Sequence, residues 1–311
     1  MKIVLVIAAL ILASRAFAAD APVQTADPFK RGLTQVDFPR LKQIEPSVYT
    51  YEALRPSEPD GFKTTVDLIV VTPGGVLVAD GQGNDGAGRD LVAAIARVTS
   101  QPIKYVVICS EHGDHTGGNA AFKAAFPDVV FISSPVSQKA LANSPNPPTE
   151  TVADKRTIML GGTEIDVLNL GRSHTGGDLA VYVPGSKVLF LSETFDHRLF
   201  PSMRAAYPTE WLATITKAQA MNAKWYIGGH GFVDDAPTMK RELEEYRKEL
   251  EAVIAEATRL HDAGVPCFSP RDCPAAAKAN WGSYADWTER KSQEAVAILR
   301  VYQEREGKLA N

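Results

Sequence analysis

Two successive blocks of short apolar strands and helical segments constrain the fold of this chain more than any other feature. In the first block, strand patterns at 66–71 and 76–78 are joined by a Pro-Gly-Gly turn, and apolar residues then recur at helical spacing over 91–98. The second block repeats this order over 165–221. Strands and helices that alternate in this way bury their apolar faces in layers. The pattern therefore predicts two sheets packed together with helices outside.

The regions before and after these blocks have different patterns. Residues 19–45 are rich in Pro and Asp, and we expect a loosely held N-terminal segment ahead of a core at 46–236. Apolar residues recur on one helical face through much of 237–311, which predicts a long helix and a second one after Ser283. These helices form a C-terminal extension that is expected to pack on the core.

The N-terminus has the features of an export signal. Lys2 provides a short positive region, residues 3–13 are almost all apolar, and Ala16-Phe17-Ala18 has the small-x-small pattern that signal peptidase cleaves. No later stretch approaches the ~20 apolar residues that span a bilayer. We therefore predict a signal peptide at 1–18, a periplasmic or secreted protein, and no membrane association after cleavage.

The charge of the chain limits its partners. The sequence has 33 Lys and Arg against 37 Asp and Glu, a formal net charge of −4. Nucleic-acid binding needs a clustered basic face, which this balance does not favour. We expect a small-molecule substrate, and no feature of the sequence specifies an oligomeric state.

The three cysteines agree with an exported protein. Cys267 and Cys273 lie six residues apart, and an oxidising compartment favours a disulfide between them. Cys109 ends an apolar strand and is expected to be a buried free thiol. Three scattered cysteines are too few for a structural zinc knuckle.

The positions of the histidines point to a metal site. The chain has six histidines, and four of them follow predicted strands in short loops flanked by glycine: His112, His115, His174 and His230. A single histidine is more often structural than a ligand, but four in such loops favour metal binding.

The densest of these loops is Ser110-Glu-His-Gly-Asp-His-Thr-Gly-Gly. Gly113 is expected to turn the loop sharply, so that His112, Asp114 and His115 converge on one point. Neutral imidazoles and a carboxylate are the ligands that zinc prefers, at about 2.0–2.2 Å. A solvated polar loop does not explain so many metal-ligand side chains in six residues.

These motifs resemble those of the metallo-β-lactamase superfamily. The order is S-x-H-x-D-H, a variant of H-x-H-x-D-H, followed by G-x-x-H-T-x-G-D around His174, an acid after a hydrophobic strand, and G-H-G around His230. Asp80-Gly81 also matches the end of an early strand in that family. The resemblance covers residues 48–230 and implies a four-layer αββα sandwich with its metal site at one edge. The C-terminal helices lie outside it.

The resemblance also assigns ligands to two metal positions. The first takes His112 and His174, and the second takes Asp114, His115 and His230.

Two residues depart from the family pattern. Ser110 replaces the first histidine of the motif, and a neutral hydroxyl is a far poorer zinc ligand than imidazole. The strand-end acid, a candidate bridge between the metals, is Glu193 where the family usually has the shorter Asp. We therefore expect one tightly bound zinc ion at the second position, and a weaker zinc ion at the first position, where Ser110 is a weak or vacant ligand.

The resemblance implies a hydrolase. Zinc lowers the pKa of its bound water to about 7 and polarises a substrate oxygen, and Asp114 is expected to orient that water as the catalytic carboxylate. The expected reaction is hydrolysis of an ester, lactone, thioester or lactam bond by an exported zinc enzyme. The alternatives are a β-lactamase proper, a family member that handles sulfur or redox chemistry, and a degenerate metal-binding protein without turnover, for which Ser110 is the argument.

Three arginines are candidate substrate contacts. Arg172 adjoins the second motif, and Arg198 and Arg204 follow the strand-end acid in a stretch that can reach over the site. Each can receive a substrate carboxylate. Surface or fold-stabilising ion pairs are an equally good reading of all three.

Overall fold

The computed structural model describes residues 24–57 and 61–309, so the predicted signal peptide at 1–18 lies outside the described part of the chain. The strands are β1 (Arg40–Glu45), β2 (Val48–Ser57), β3 (Gly61–Thr72), β4 (Gly75–Ala79), β5 (Ile103–Val107), β6 (Val130–Ser133), β7 (Glu150–Thr151), β8 (Lys155–Leu160), β9 (Thr163–Leu168), β10 (Ala180–Val183), β11 (Val188–Asp196) and β12 (Trp225–His230). The α-helices are α1 (Asp85–Ala96), α2 (Gly113–Thr116), α3 (Asn119–Ala125), α4 (Pro135–Ala140), α5 (Pro208–Ala220), α6 (Ala236–Asp262) and α7 (Arg290–Arg305).

The sheet consists of two halves that meet at β3. One half has the order β7-β6-β5-β4-β3, and the other continues as β12-β11-β10-β9-β8. The late part of β3 pairs with β4, from Leu68 to Thr72, whereas its early part pairs with β12 through Thr65 and His230. On its other side, β3 pairs with β2 along its whole length, and β1 pairs with β2. The exchange of partners places His230 at the junction of the two halves.

The core confirms the predicted layers. One apolar cluster combines Leu68 and Leu77 of the first half with Val181 and Leu189 of the second, and it extends into α5, α6 and α7. A second cluster packs the other face of the first half, including Val78, against α1 and α3. Two sheet halves with helices outside each form the expected αββα sandwich.

The N-terminal segment is more ordered than its composition predicts. Within 19–45, residues 40–45 form β1, and Arg31 forms an ion pair with Asp234 at 2.8 Å. Lys42 Nζ also donates to the carbonyl oxygen of Val233 at 2.7 Å. The expectation of a loosely held segment is therefore wrong for this part. Periodicity missed β1 because none of its residues is fully buried, so no apolar alternation marks it.

The C-terminal helices pack on the second half of the sheet. α6 buries the predicted apolar face, including Leu243 and Leu250. α7 begins at Arg290, later than the expected start after Ser283, because Glu289 adopts a left-handed conformation with φ of 67°. Disulfide formation between Cys267 and Cys273 is confirmed. The thiol of Cys109 is free and buried, as expected.

The described helices give no candidate for a transmembrane span, because each is too short or too polar.

Candidate metal centre

The predicted ligand loops meet at one edge of the sandwich, where strands end. The loop after β5 carries His112, whose backbone is extended, and the chain then enters α2, which contains Asp114 and His115. The loop between β9 and β10 carries His174, and His230 is the last residue of β12. The change from extended to helical backbone places the three side chains of the first loop at the same edge of the sandwich, with Asp114 and His115 in one group of donors and His112 in another.

The glycines after this loop, rather than within it, are required by close packing. A Cβ at Gly117 would lie 2.2 Å from the carbonyl oxygen of Gly83, and one at Gly118 would lie 2.1 Å from that of Gly81. Gly113, by contrast, is the first residue of α2 and would have no atom within 4 Å of an added Cβ. The expected role of Gly113 in a sharp turn is therefore wrong, and the helical turn takes that role.

Within the described residues, the first group of converging donor atoms belongs to Asp114, His115, Glu193 and His230. His230 Nε2 lies 3.1 Å from Asp114 Oδ2, 3.3 Å from His115 Nε2 and 3.6 Å from Glu193 Oε1. His115 Nε2 lies 3.7 Å from Asp114 Oδ2 and 3.6 Å from Glu193 Oε1. Ligand atoms of a tetrahedral zinc site lie about 3.3–3.6 Å apart. These four residues, here called the four-ligand group, fit a tetrahedral divalent metal.

The second group consists of His112, His174 and Glu193. His174 Nε2 lies 3.1 Å from His112 Nδ1 and 3.4 Å from Glu193 Oε1, and His112 Nδ1 lies 2.9 Å from Glu193 Oε2. This three-ligand group also has metal-ligand spacing, but it offers one donor fewer. Glu193 belongs to both groups, so its carboxylate is placed to bridge them.

Ser110 does not complete the three-ligand group as an imidazole would. Its side chain is fully buried, and its hydroxyl donates a hydrogen bond to Glu193 Oε2. The longer acid therefore reaches toward the space beside the small residue. The two departures from the family motif are in contact with each other, which the sequence alone did not indicate.

Polar contacts behind the ligands orient two imidazoles. His115 Nδ1 lies 2.9 Å from Asp80 Oδ2, and Asp80 also accepts from the Ser192 hydroxyl at 2.6 Å. His230 Nδ1 donates to the carbonyl oxygen of Thr64 at 2.9 Å. In both rings Nε2 is thereby left to face the four-ligand group. Such contacts orient metal ligands and increase their basicity.

Burial also prepares the ligands for metal. It lowers the pKa of His174 to about 3, which keeps this imidazole neutral. Burial disfavours the charged form of Glu193, but the charge of His115 and the hydrogen bond from His112 outweigh it and hold the pKa of Glu193 well below its usual value. Metal ligands bind as neutral imidazole and ionised carboxylate, so both shifts favour coordination at neutral pH.

A cavity of about 390 Å³ opens above the ligands. Its floor is formed by five of the metal-ligand residues, with Asp196 beside them: His112, Asp114, His174, Glu193 and His230. Its rim consists of charged or polar residues from distant parts of the chain: Arg55, Ser57, Lys63, Ser202, Arg204, Glu289 and Gln293. Burial raises the pKa of Asp196 to about 7.

Sequence reasoning missed most of the rim. Arg55 and Lys63 lie at equal distances from residue 59, a symmetry that could have suggested their pairing across a hairpin. Glu289 has no such signal, because it reaches the cavity only through the packing of the C-terminal extension.

The three predicted arginines are in different surroundings. Arg172 forms a two-point ion pair with Glu210 and lies over the Tyr207 ring, 4.0 Å from its centroid. Arg198 pairs with Glu242 in the same two-point manner. Of the three, Arg204 alone is among the described residues that line the cavity, where it is exposed. Arg172 and Arg198 therefore have the geometry of fold-stabilising ion pairs.

An αββα sandwich with histidine and carboxylate donors converging below a cavity defines a metal-dependent hydrolase class. Residues 60–230 match the sequence model of the metallo-beta-lactamase superfamily, and the chain belongs to this superfamily. The predicted family, fold class and enzyme class are confirmed.

Individual relatives are distant. The chain is 23% identical over 227 residues to a metallo-beta-lactamase type 2 of Bacteroides fragilis, which covers 70% of this chain and 87% of that protein. It is 22% identical over 161 residues to 2,4-dinitroanisole O-demethylase subunit alpha of Nocardioides sp. (strain JS1661). That second match covers 50% of this chain and spans only 49% of the relative.

Solved structures share the fold. A metallo-beta-lactamase from Pontibacter korlensis has a TM-score of 0.62 and 23% identity, covering 68% of this chain and 99% of that one. The enzyme from Hirschia baltica has a TM-score of 0.58 and 17% identity, covering 66% of this chain and 96% of that one. Both are nearly covered, so the additional length of this chain lies outside the shared sandwich.

Proposed function

We propose that this protein is an exported zinc-dependent hydrolase that cleaves an ester, lactone, thioester or lactam bond of a small molecule. The observation that carries the proposal is the four-ligand group, whose donor atoms have tetrahedral spacing directly below a polar cavity. Two imidazoles and two carboxylates form a donor set suited to zinc.

The residues of the cavity floor and those of its rim have different roles in the proposed mechanism. A bound zinc ion supplies an activated water near neutral pH and polarises the substrate oxygen. Asp114 lines the cavity as well as ligating, so its carboxylate can accept a hydrogen bond from the attacking water and orient it. The cations of the rim are placed to hold the substrate against this water.

β-Lactam hydrolysis is the second candidate function. The relative from Bacteroides fragilis is named a metallo-beta-lactamase, and the expected compartment is where β-lactams act. Ser110, Glu193 and the C-terminal extension separate this chain from the family pattern, so we rank lactams as one substrate class among several. Sulfur or redox chemistry and a non-catalytic role rank lower, because the four-ligand group is complete.

Export is part of the proposal. The predicted signal at 1–18 and the disulfide between Cys267 and Cys273 both fit an oxidising compartment. Periplasmic fractionation followed by N-terminal sequencing should give a mature protein that begins at Ala19. Recovery of the full-length chain in the cytoplasm would contradict export.

The deciding experiment is a substrate screen of protein with known metal content. Zinc-loaded protein is assayed against matched esters, lactones, thioesters and β-lactams, with the Asp114→Asn variant as control. We expect zinc-dependent turnover of at least one class that the variant lacks. Equal rates for both proteins would show that any turnover does not use this site.

A further inference from the structure

The hairpin formed by β2 and β3 places two cations side by side at the cavity. Arg55 and Lys63 are direct partners in the antiparallel register, and both line the cavity. Like charges directly opposite on a sheet destabilise the pairing. Each cation therefore needs a carboxylate from elsewhere in the molecule.

The two counter-charges differ in kind. Lys63 Nζ lies 3.0 Å from Glu289 Oε1, and Glu289 also accepts a hydrogen bond from Ser57. Glu289 belongs to neither ligand group, so this partner stays available whether or not metal is bound. Arg55, in contrast, contacts Asp114 through Nη1 and Oδ2.

The Asp114 oxygen that Arg55 contacts is the same atom that belongs to the four-ligand group. Asp114 Oδ2 lies 3.1 Å from His230 Nε2 and 3.7 Å from His115 Nε2, within the tetrahedral arrangement. A guanidinium and a divalent cation cannot both lie against this oxygen without strong repulsion. Arg55 and the metal therefore compete for Asp114 Oδ2.

We propose that Arg55 leaves Asp114 when metal is bound and then serves as the binding group for a negatively charged substrate moiety. This inference rests on the proposed function and narrows its substrate class to anions. In the metal-loaded protein Arg55 no longer has Asp114 as its contact, and the nearby Glu289 is already paired with Lys63. A substrate carboxylate can then form the charge-assisted, two-point contact that arginine favours. The substrate anion site is open only when the metal is present.

The alternative is that Arg55 stays in contact with Asp114 and stabilises it while the metal is bound. The direction in which Arg55→Gln changes the zinc affinity distinguishes these two hypotheses. Zinc affinity of wild type and Arg55→Gln is measured at low salt with a competing chelator. Displacement predicts zinc binding roughly 3- to 10-fold tighter in the variant, because an ion pair no longer has to break. A supporting contact predicts binding about 10- to 100-fold weaker, which would overturn the proposal. Arg172→Gln, which removes an arginine outside the cavity, should leave zinc affinity unchanged.

The anion site is tested by binding, independently of turnover. Benzoate is titrated into wild type and Arg55→Gln, each with and without zinc. We expect benzoate to bind zinc-loaded wild type about 5- to 10-fold more tightly than the zinc-loaded variant, with no difference between the metal-free proteins. Arg55→Lys keeps the charge but not the two-point contact, so the benzoate affinity of its zinc-loaded form should lie between those of wild type and Arg55→Gln. Its thermal unfolding checks that the hairpin tolerates substitution.

Each outcome has a defined meaning. Equal benzoate affinity in the two zinc-loaded proteins, or an equal difference in the metal-free pair, would overturn the anion site. Because neither titration depends on catalysis, both remain decisive if the substrate screen finds no hydrolysis. Failure of the screen would then count against the proposed function alone.

Discussion

The floor and the rim of the cavity are built in opposite ways. The floor takes its ligands from strands near their ends and from the loops and the short helix α2 that follow strands. Most of these ligands are buried, as are the polar partners behind them. The rim takes long charged side chains from the β2–β3 hairpin and the C-terminal extension. We infer from this difference that the reaction class depends on the metal ligands of the floor, whose backbone positions belong to the family fold. We expect the charged side chains of the rim, which lie partly outside that fold, to determine which substrates bind.

The largest effect is expected from the floor. Asp114→Asn and His230→Ala each remove a member of the four-ligand group, so most bound zinc should be lost. The catalytic efficiency should fall roughly 10³-fold or more, as it does when an essential catalytic group is removed. Elemental analysis and steady-state kinetics provide the measurement. Full zinc content in both variants would show that the floor is wrongly assigned.

A smaller effect, on zinc affinity, is expected at the three-ligand group, which has one donor fewer than the four-ligand group. Ser110→His alone places a ring in a fully buried position that Glu193 already contacts. Combined with Glu193→Asp, it should make room for the imidazole and raise the zinc content toward two ions per chain at limiting metal. We expect the affinity of the weaker position to rise about 10- to 100-fold. Two equally tight sites in the unaltered protein would mean that Ser110 does not weaken the first position.

The rim should affect substrate binding more than chemistry. Arg204→Gln should raise KM for an anionic substrate by roughly 3- to 10-fold and leave a neutral analogue unchanged, because only the anion makes a charge-assisted contact. Arg172→Gln and Arg198→Gln are matched controls whose partners are Glu210 and Glu242. A larger increase in KM from either control would indicate that the substrate anion binds outside this cavity.

The smallest effect concerns a buried acid behind the floor. Burial raises the pKa of Asp67 from 3.8 to about 8, although Gln82 donates a hydrogen bond to it. The folded protein therefore retains a proton that the unfolded chain has released, and stability should fall as pH rises from about 4 to about 8.

The Asp67→Asn variant should lack this pH dependence. It should also be more stable at pH 7 by about 1–3 kcal/mol, since its amide carries no ionisation cost. Thermal unfolding between pH 4 and 8 gives the comparison. Parallel curves for the two proteins would show that Asp67 titrates normally in the fold.

The sequence predicted the floor because its residues follow strand ends in a fixed order. His112, Asp114 and His115 are close in sequence, and strand topology brings His174 and His230 to the same edge. Two packed sheets with helices outside followed from the pattern of strands and helices, and the αββα sandwich followed from the resemblance to the family. The hydrogen bond between Ser110 and Glu193 could not be predicted, because it depends on the path of two loops in three dimensions.

The contacts of the rim residues could not be predicted from the sequence for a different reason. Arg55 meets Asp114, and Glu289 meets Lys63, only because segments far apart in the sequence pack around the cavity. Periodicity gives no information on such long-range contacts of charged side chains. It failed for β1 as well, where partial exposure removed the apolar alternation.

Removal and restoration of metal are the most direct test of zinc-dependent hydrolysis at the four-ligand group. The protein is stripped with a chelator, titrated with zinc, and assayed at each step on the best substrate of the screen. We predict one tightly bound zinc ion per chain and loss of activity when the metal is removed. Activity should recover in proportion to the occupancy of the four-ligand group. Undiminished hydrolysis by the stripped protein, or failure of the intact chain to retain zinc, would contradict these predictions.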